Sequence, residues 1–208
     1  MTPLGGAHDP LKWLEVRRRW VRLMAGHMPF GFASHFPGPS EYITLIRNPI
    51  DRMVSEYHYI RQHPLNPASS AARRLSLLEF VAEDHAFSRN CYARWLSNAA
   101  FGAKFQSDQE MVDTALRNLG QFSFIGITEQ FGTAITHLCE KYELDPYTCS
   151  EQNRNRATPH RALLSREEHR AIERHNSLDL IIYEHCLSMC WSRNVGTPEN
   201  SLRVATPA

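Results

Sequence analysis

The stretch from Glu41 to Arg61, EYITLIRNPIDRMVSEYHYIR, constrains this chain more than any other. Tyr42 to Ile46 is a short, β-rich apolar run, and Arg47-Asn48-Pro49 ends it with a turn signal before helical spacing begins. The pattern predicts a strand that feeds directly into a helix. Pro49 suits the first helical position, where its missing N–H costs nothing. The N–H groups of that first turn then face the space beyond the strand, and such an end attracts anions. Arg47 leaves the strand tip toward the same space, and Ser55 carries a hydroxyl about two turns into the helix. Arginine, hydroxyl and helix terminus together suit a phosphate. The plainer alternative is an α/β unit in which Arg47 merely ends a strand and Ser55 is a surface hydroxyl.

The arrangement resembles the 3′-phosphate-binding segment of the sulfotransferases that use 3′-phosphoadenosine 5′-phosphosulfate (PAPS). In that family a strand ends in Arg-Asp-Pro or a close variant, and a Ser and a Tyr follow on the next helix. The matching residues are Arg47, Asn48, Pro49, Arg52, Ser55 and Tyr57, with Asn48 in place of the commoner Asp. The resemblance assigns Arg47 and Ser55 to the 3′-phosphate of the donor.

Further segments resemble the same family in the same order. Gly26-His27 is similar to a Gly-His pair in the branch that includes the heparan sulfate and uronyl 2-O-sulfotransferases and their bacterial relatives. There the histidine is a general base toward the acceptor hydroxyl, a task that an imidazole titrating near neutrality performs well. Taken alone, His27 is a loop histidine bonding backbone; His35, in the same Gly- and Pro-rich loop, is the weaker candidate. Asn90 and Arg94 resemble an Asn-x-x-x-Arg segment on the acceptor side, which makes Arg94 a substrate-binding candidate; the alternative is an ion pair with Glu83 or Asp84. FSFIGI at Phe122 to Ile127, followed by Thr128-Glu129-x-Phe131, is similar to the family's next strand and helix. The polar loop from Glu151 to Arg161 corresponds to a basic loop that closes over the donor's 3′-phosphate, so Arg154 or Arg156 is a second cofactor-binding cation. Asn176-x-x-Asp179-x-x-x-Tyr183 resembles a motif near the family's C-terminus.

The fold class expected is α/β: a P-loop-like sulfotransferase fold, with a parallel sheet flanked by helices. Helices are predicted over Pro10 to Ala25, Arg73 to Asp84, Arg89 to Asn98, Ser107 to Leu119, Glu129 to Tyr142 and Ser165 to about Trp191. Ser107 with Glu110 and Ser165 with Glu168 have capping-box spacing. Residues 1–193 read as a single, incomplete domain and Asn194 to Ala208 as a disordered tail. The family opens with a strand and a Lys- and Gly-rich loop around the 5′-phosphosulfate, and no such strand and loop precede Gly26; Lys12 falls within a helical pattern. That loop is therefore expected to lie outside this chain, and the chain alone to be a poor or inactive catalyst.

Composition narrows the remaining classes. A net charge of +1 gives no argument for attraction to bulk nucleic acid or a membrane surface, and no apolar run approaches a membrane span. Three of the 23 basic residues are lysines, Lys12, Lys104 and Lys141; the rest are arginines, which favour bidentate anion contacts. Five cysteines, an odd number, fit free thiols in a reducing compartment and hence a cytoplasmic protein, and no cysteine or histidine spacing marks a metal site. The partners the resemblance implies are a nucleotide donor and a hydroxyl acceptor such as a polysaccharide. Besides a PAPS-dependent sulfotransferase, two readings stay open: a non-catalytic 3′-phosphoadenosine-binding remnant, and another P-loop-related nucleotide enzyme. The absence of G-x-x-x-x-G-K-[ST] counts against the last.

Overall fold

The apolar run at Tyr42–Ile46 forms strand β1, and Phe122–Ile127 forms β2. In the computed structural model, which describes residues 21–26, 28–83, 89–145 and 164–194, the two strands pair in parallel, with Thr44 opposite Ile125 and Ile46 opposite Ile127. Parallel partners require a crossover, and helices supply it. They are α1 (Pro49–Gln62), α2 (Ser69–Arg74), α3 (Leu77–Ala82), α4 (Cys91–Leu96) and α5 (Asp108–Leu119). Beyond β2 come α6 (Phe131–Lys141), α7 (Arg166–His175) and α8 (Ser177–Asn194). The expected α/β architecture, a parallel sheet flanked by helices, is the one that forms.

Side-chain alternation along the strands sorts the layers. Ile46, Ile125 and Ile127 point into a core with Ala93 of α4, Val112 and Ala115 of α5, and Leu178 and Ile182 of α8. The opposite face meets α6 closely at Gly126, where an added Cβ would come within 2.5 Å of Leu45 Cδ2 and 3.0 Å of Ala134 Cβ. A second core joins Met53, Val54 and Tyr57 of α1 to Ala72 of α2, Phe80 of α3 and Ile172 of α7. Each fully buried aliphatic or aromatic side chain in these clusters is worth about 1.5–3 kcal/mol relative to exposure.

Three predicted helices differ in the structure. The end of the Pro10 to Ala25 helix is not helical: residues 21–25 are irregular, and Leu23 is 74% exposed, so the last turn has no apolar surface to pack against. Arg73 to Asp84 is two helices, because Ser76 forms a capping box with Glu79 and starts α3 afresh. Ser165 to Trp191 is also two, broken at Asn176, whose side chain turns to its own backbone at Ile172 and to Arg52. The Ser165–Glu168 capping box opens α7 as its spacing predicts. Ser107 caps Glu110 N, while Glu110 reaches Gln106 N instead of closing the box. Inside the Gly26 to Pro39 loop, Phe32–His35 winds into a 3₁₀ turn. The tail beyond Asn194 lies outside the described residues.

Candidate functional site

β1 ends at Ile46 and α1 begins at Pro49, so Arg47 and Asn48 make the whole connection. It sits at the carboxyl end of a parallel pair, where open α/β sheets bind ligands. Asn48 is the N-cap: its Oδ1 accepts from Ile50 N at 3.0 Å and Asp51 N at 3.4 Å. These first-turn donors, free on the sequence reading, are thus engaged by the chain itself. The cap is neutral, so it satisfies them without cancelling the positive end of the helix.

Two side chains from distant elements hold the backbone of this turn. The Tyr92 hydroxyl, on α4, accepts from Arg47 N at 3.1 Å and donates to Arg47 O at 3.0 Å. Burial pushes the Tyr92 phenol up, so the hydroxyl keeps its proton and can fill both roles. Glu129, just beyond β2, accepts from Asn48 N at 2.8 Å through Oε1 and from the Tyr183 hydroxyl at 3.3 Å through Oε2. The Arg47 guanidinium and the Ser55 hydroxyl, both half-buried, have no hydrogen-bond or ion-pair partner among the described residues. Ser55 lies on α1 about 9 Å along the axis from Pro49.

Behind the turn is a buried polar junction. Arg52 Nη1 pairs with Glu56 at 2.7 Å, Nη2 donates to Asn176 Oδ1 at 3.1 Å, and Asp179 Oδ2 is 3.8 Å away. The guanidinium also lies 5.5 Å over the Tyr92 ring. Burial opposes the Arg52 charge, but the surrounding acidic groups, Glu56 and Asp179 among them, more than restore it. Burial pushes the Glu56 carboxyl up, with Arg52 pulling the other way. Asp179 Oδ1 accepts from Ala93 N at 2.9 Å, while Asn90 Oδ1 accepts from Leu178 N at 3.1 Å. The amino ends of α4 and α8 therefore cap each other in trans, and α4 gets no side-chain cap from its own N-cap residue, Asn90.

At the sheet's carboxyl end the strand-to-helix turn thus presents an arginine with no partner among the described residues. The family model for galactose-3-O-sulfotransferase matches residues 12–203, nearly the whole sequence. The chain belongs to the galactose-3-O-sulfotransferase family. No curated protein matches it. The match is to sulfotransferases, as expected, and names the galactose-3-O family where the sequence resemblance pointed to the 2-O branch.

Set against this sulfotransferase family, the expected site residues fall into two groups. Arg47 stands at the carboxyl end of the sheet, and Ser55 stands about two turns along α1. Arg94 is half-buried on α4, close enough to Cys91 to pull against the burial that raises that thiol to about 11. Its companion Asn90 does not face an acceptor; it is 7% exposed and committed to Leu178. His27, Arg154 and Arg156 lie outside the described residues. His35 is exposed, with its ring 5.2 Å from that of Phe32. Phe30, three residues after His27, stacks on Tyr42 and Phe122, the first residues of the two strands.

Tyr92 and Glu129 were missed as site residues. Glu129 had a signal, since Thr-Glu-x-Phe directly after a strand places a carboxylate at the sheet's carboxyl end. Tyr92 had none, because its role depends on a contact 45 residues away. The Asn176, Asp179 and Tyr183 motif proves to be the structural knot joining α1, α4 and α8. No helix among the described residues is long and apolar enough to cross a membrane.

Proposed function

We propose that this sulfotransferase uses PAPS as donor and sulfates a carbohydrate hydroxyl. The supporting observation is the Arg47 turn: an arginine without a partner among the described residues, presented by a backbone that Tyr92 and Glu129 hold from both sides, with the Ser55 hydroxyl, likewise unpartnered among them, on the helix that follows. Such a site suits a phosphomonoester, since guanidinium and hydroxyl both donate to phosphate oxygens. Arg47 and Ser55 bind the 3′-phosphate, with Arg154 or Arg156 as a second cation. The carboxylates of Glu129 and Asp51 near the turn make that second cation useful.

In transfer, the acceptor hydroxyl loses its proton to His27 as its oxygen bonds to sulfur. The bond from sulfur to the donor's phosphate oxygen breaks, releasing 3′-phosphoadenosine 5′-phosphate. Arg94 contacts the acceptor. The family's name makes a galactose 3-hydroxyl the first acceptor to test, and the Gly26-His27 pair is the feature shared with the 2-O branch. Cytoplasmic placement rests on the cysteines; Cys91, Cys139, Cys186 and Cys190 are free thiols. The 3′-phosphate grip is equally strong in ground and transition states, so it raises affinity more than turnover.

The test is calorimetric titration with 3′-phosphoadenosine 5′-phosphate. A charge-assisted bond to phosphate is worth about 1.5–3 kcal/mol, so Arg47→Ala should weaken binding by about tenfold or more. Equal affinity of wild type and variant would end the reading. His27→Ala should lower sulfate transfer about 10²–10⁴-fold while leaving nucleotide affinity nearly intact.

A further inference from the structure

Resting on that reading, we propose that Glu129 is a positioning residue for the 3′-phosphate site, holding the Arg47-Asn48 turn by a single backbone bond. The turn is two residues long, and its backbone is tied at two points, Arg47 to Tyr92 and Asn48 to Glu129. Glu129 belongs to the Thr128–Gln130 turn that directly follows β2, so its carboxylate spans the carboxyl ends of the two strands. The second carboxylate oxygen accepts from the Tyr183 hydroxyl on α8, which fixes the plane of the carboxylate. Glu129 is otherwise exposed, and an exposed carboxylate beside a phosphate site is unfavourable by charge alone. Its position there follows from the bond it makes, and that bond needs only an acceptor oxygen. Releasing Asn48 N frees the turn to rotate, and Arg47 then loses order before it meets phosphate.

This separates the hydrogen bond from the charge. Glu129→Gln keeps an acceptor for Asn48 N and drops the repulsion, whereas Glu129→Ala removes both. The experiment titrates the full chain with 3′-phosphoadenosine 5′-phosphate and with adenosine 5′-monophosphate, which lacks the 3′-phosphate. The quantity read is the ratio of the two affinities, with melting curves confirming that each variant is folded. Wild type should prefer the 3′-phosphorylated nucleotide, and Arg47→Ala should reduce that preference about tenfold or more. Glu129→Ala should reduce it about fivefold or more, the scale of one net hydrogen bond of about 1 kcal/mol, with adenosine 5′-monophosphate affinity unchanged. Glu129→Gln should stay within about threefold of wild type. Tyr183→Phe, which removes only the hydroxyl that orients the carboxylate, should show a smaller drop of the same kind and serves if Glu129→Ala fails to fold.

An unchanged ratio in Glu129→Ala, or equal weakening of both nucleotides, overturns the positioning role while leaving the phosphate site standing. Tightening of the 3′-phosphorylated nucleotide by Glu129→Gln beyond about tenfold also overturns it, since the carboxylate would then be a competing anion. A wild type without preference, or an Arg47→Ala variant with the wild-type ratio, overturns the phosphate site itself, and the positioning role with it.

Discussion

Asp179→Ala should be among the most damaging single substitutions in this protein. The carboxylate has no exposed surface, accepts from Ala93 N at 2.9 Å and also bonds the backbone at Tyr92 and Cys91. Removing it leaves first-turn N–H groups of α4 without a partner in a dry interior. Asn90 cannot replace it, because its amide oxygen is engaged by Leu178 N. Each buried donor left unsatisfied costs about 1–3 kcal/mol, whereas Arg52, which keeps Glu56, is not left as an unpaired charge. With the backbone N–H groups of Cys91, Tyr92 and Ala93 at stake, the expected loss is about 3–5 kcal/mol, against a total stability of roughly 5–15 kcal/mol. For a chain of this size that lowers Tm by roughly 6–20 °C. Asp179→Asn keeps an acceptor for Ala93 N, and Arg52 keeps Glu56 at 2.7 Å, so its cost should be about 1–2 kcal/mol. Urea unfolding followed by far-UV circular dichroism measures both. A loss under about 1 kcal/mol in the alanine variant, or an asparagine variant equally damaged, would refute the trans-capping argument.

Further predictions concern packing, caps and thiols. Gly126→Ala places a methyl 3.0 Å from Ala134 Cβ, which cannot yield without moving α6, so a destabilisation of about 1–3 kcal/mol is expected in the same unfolding assay. Ser165→Ala removes the acceptor at Glu168 N and should cost about 1 kcal/mol; no change in Tm would show that α7 does not depend on its cap. Burial raises the Cys91 thiol to about 11 and the Cys186 thiol to about 12. Only about 0.1% of Cys91 is thiolate at pH 8, so iodoacetamide should label it far more slowly in folded than in urea-unfolded protein, and about tenfold faster per pH unit up to its pKa. Equal folded and unfolded rates at pH 8 would contradict the burial.

Much of the architecture was legible because its signals are local. A five-residue apolar run, a turn and a proline specify β1 and the start of α1 within about ten residues of chain, and FSFIGI marks β2 in the same way. Capping boxes are local too: Ser165-x-x-Glu168 was read and observed, while Ser76-x-x-Glu79, equally local, was passed over inside a longer apolar pattern. Arg47 and Ser55 were legible as a candidate phosphate pair because both lie on one strand–helix unit. What holds that unit in place was not. Tyr92 reaches Arg47 across 45 residues, Glu129 reaches Asn48 across 81, and Asp179 reaches Ala93 across 86. The break at Asn176 belongs with these: no glycine or proline marks it, and the Asn176 amide oxygen is held there by Arg52, 124 residues earlier. Periodicity and caps act over one or two turns of chain, so they determine which elements form. The bonds that fix a turn or break a helix from outside depend on which elements become neighbours, and only the folded chain decides that.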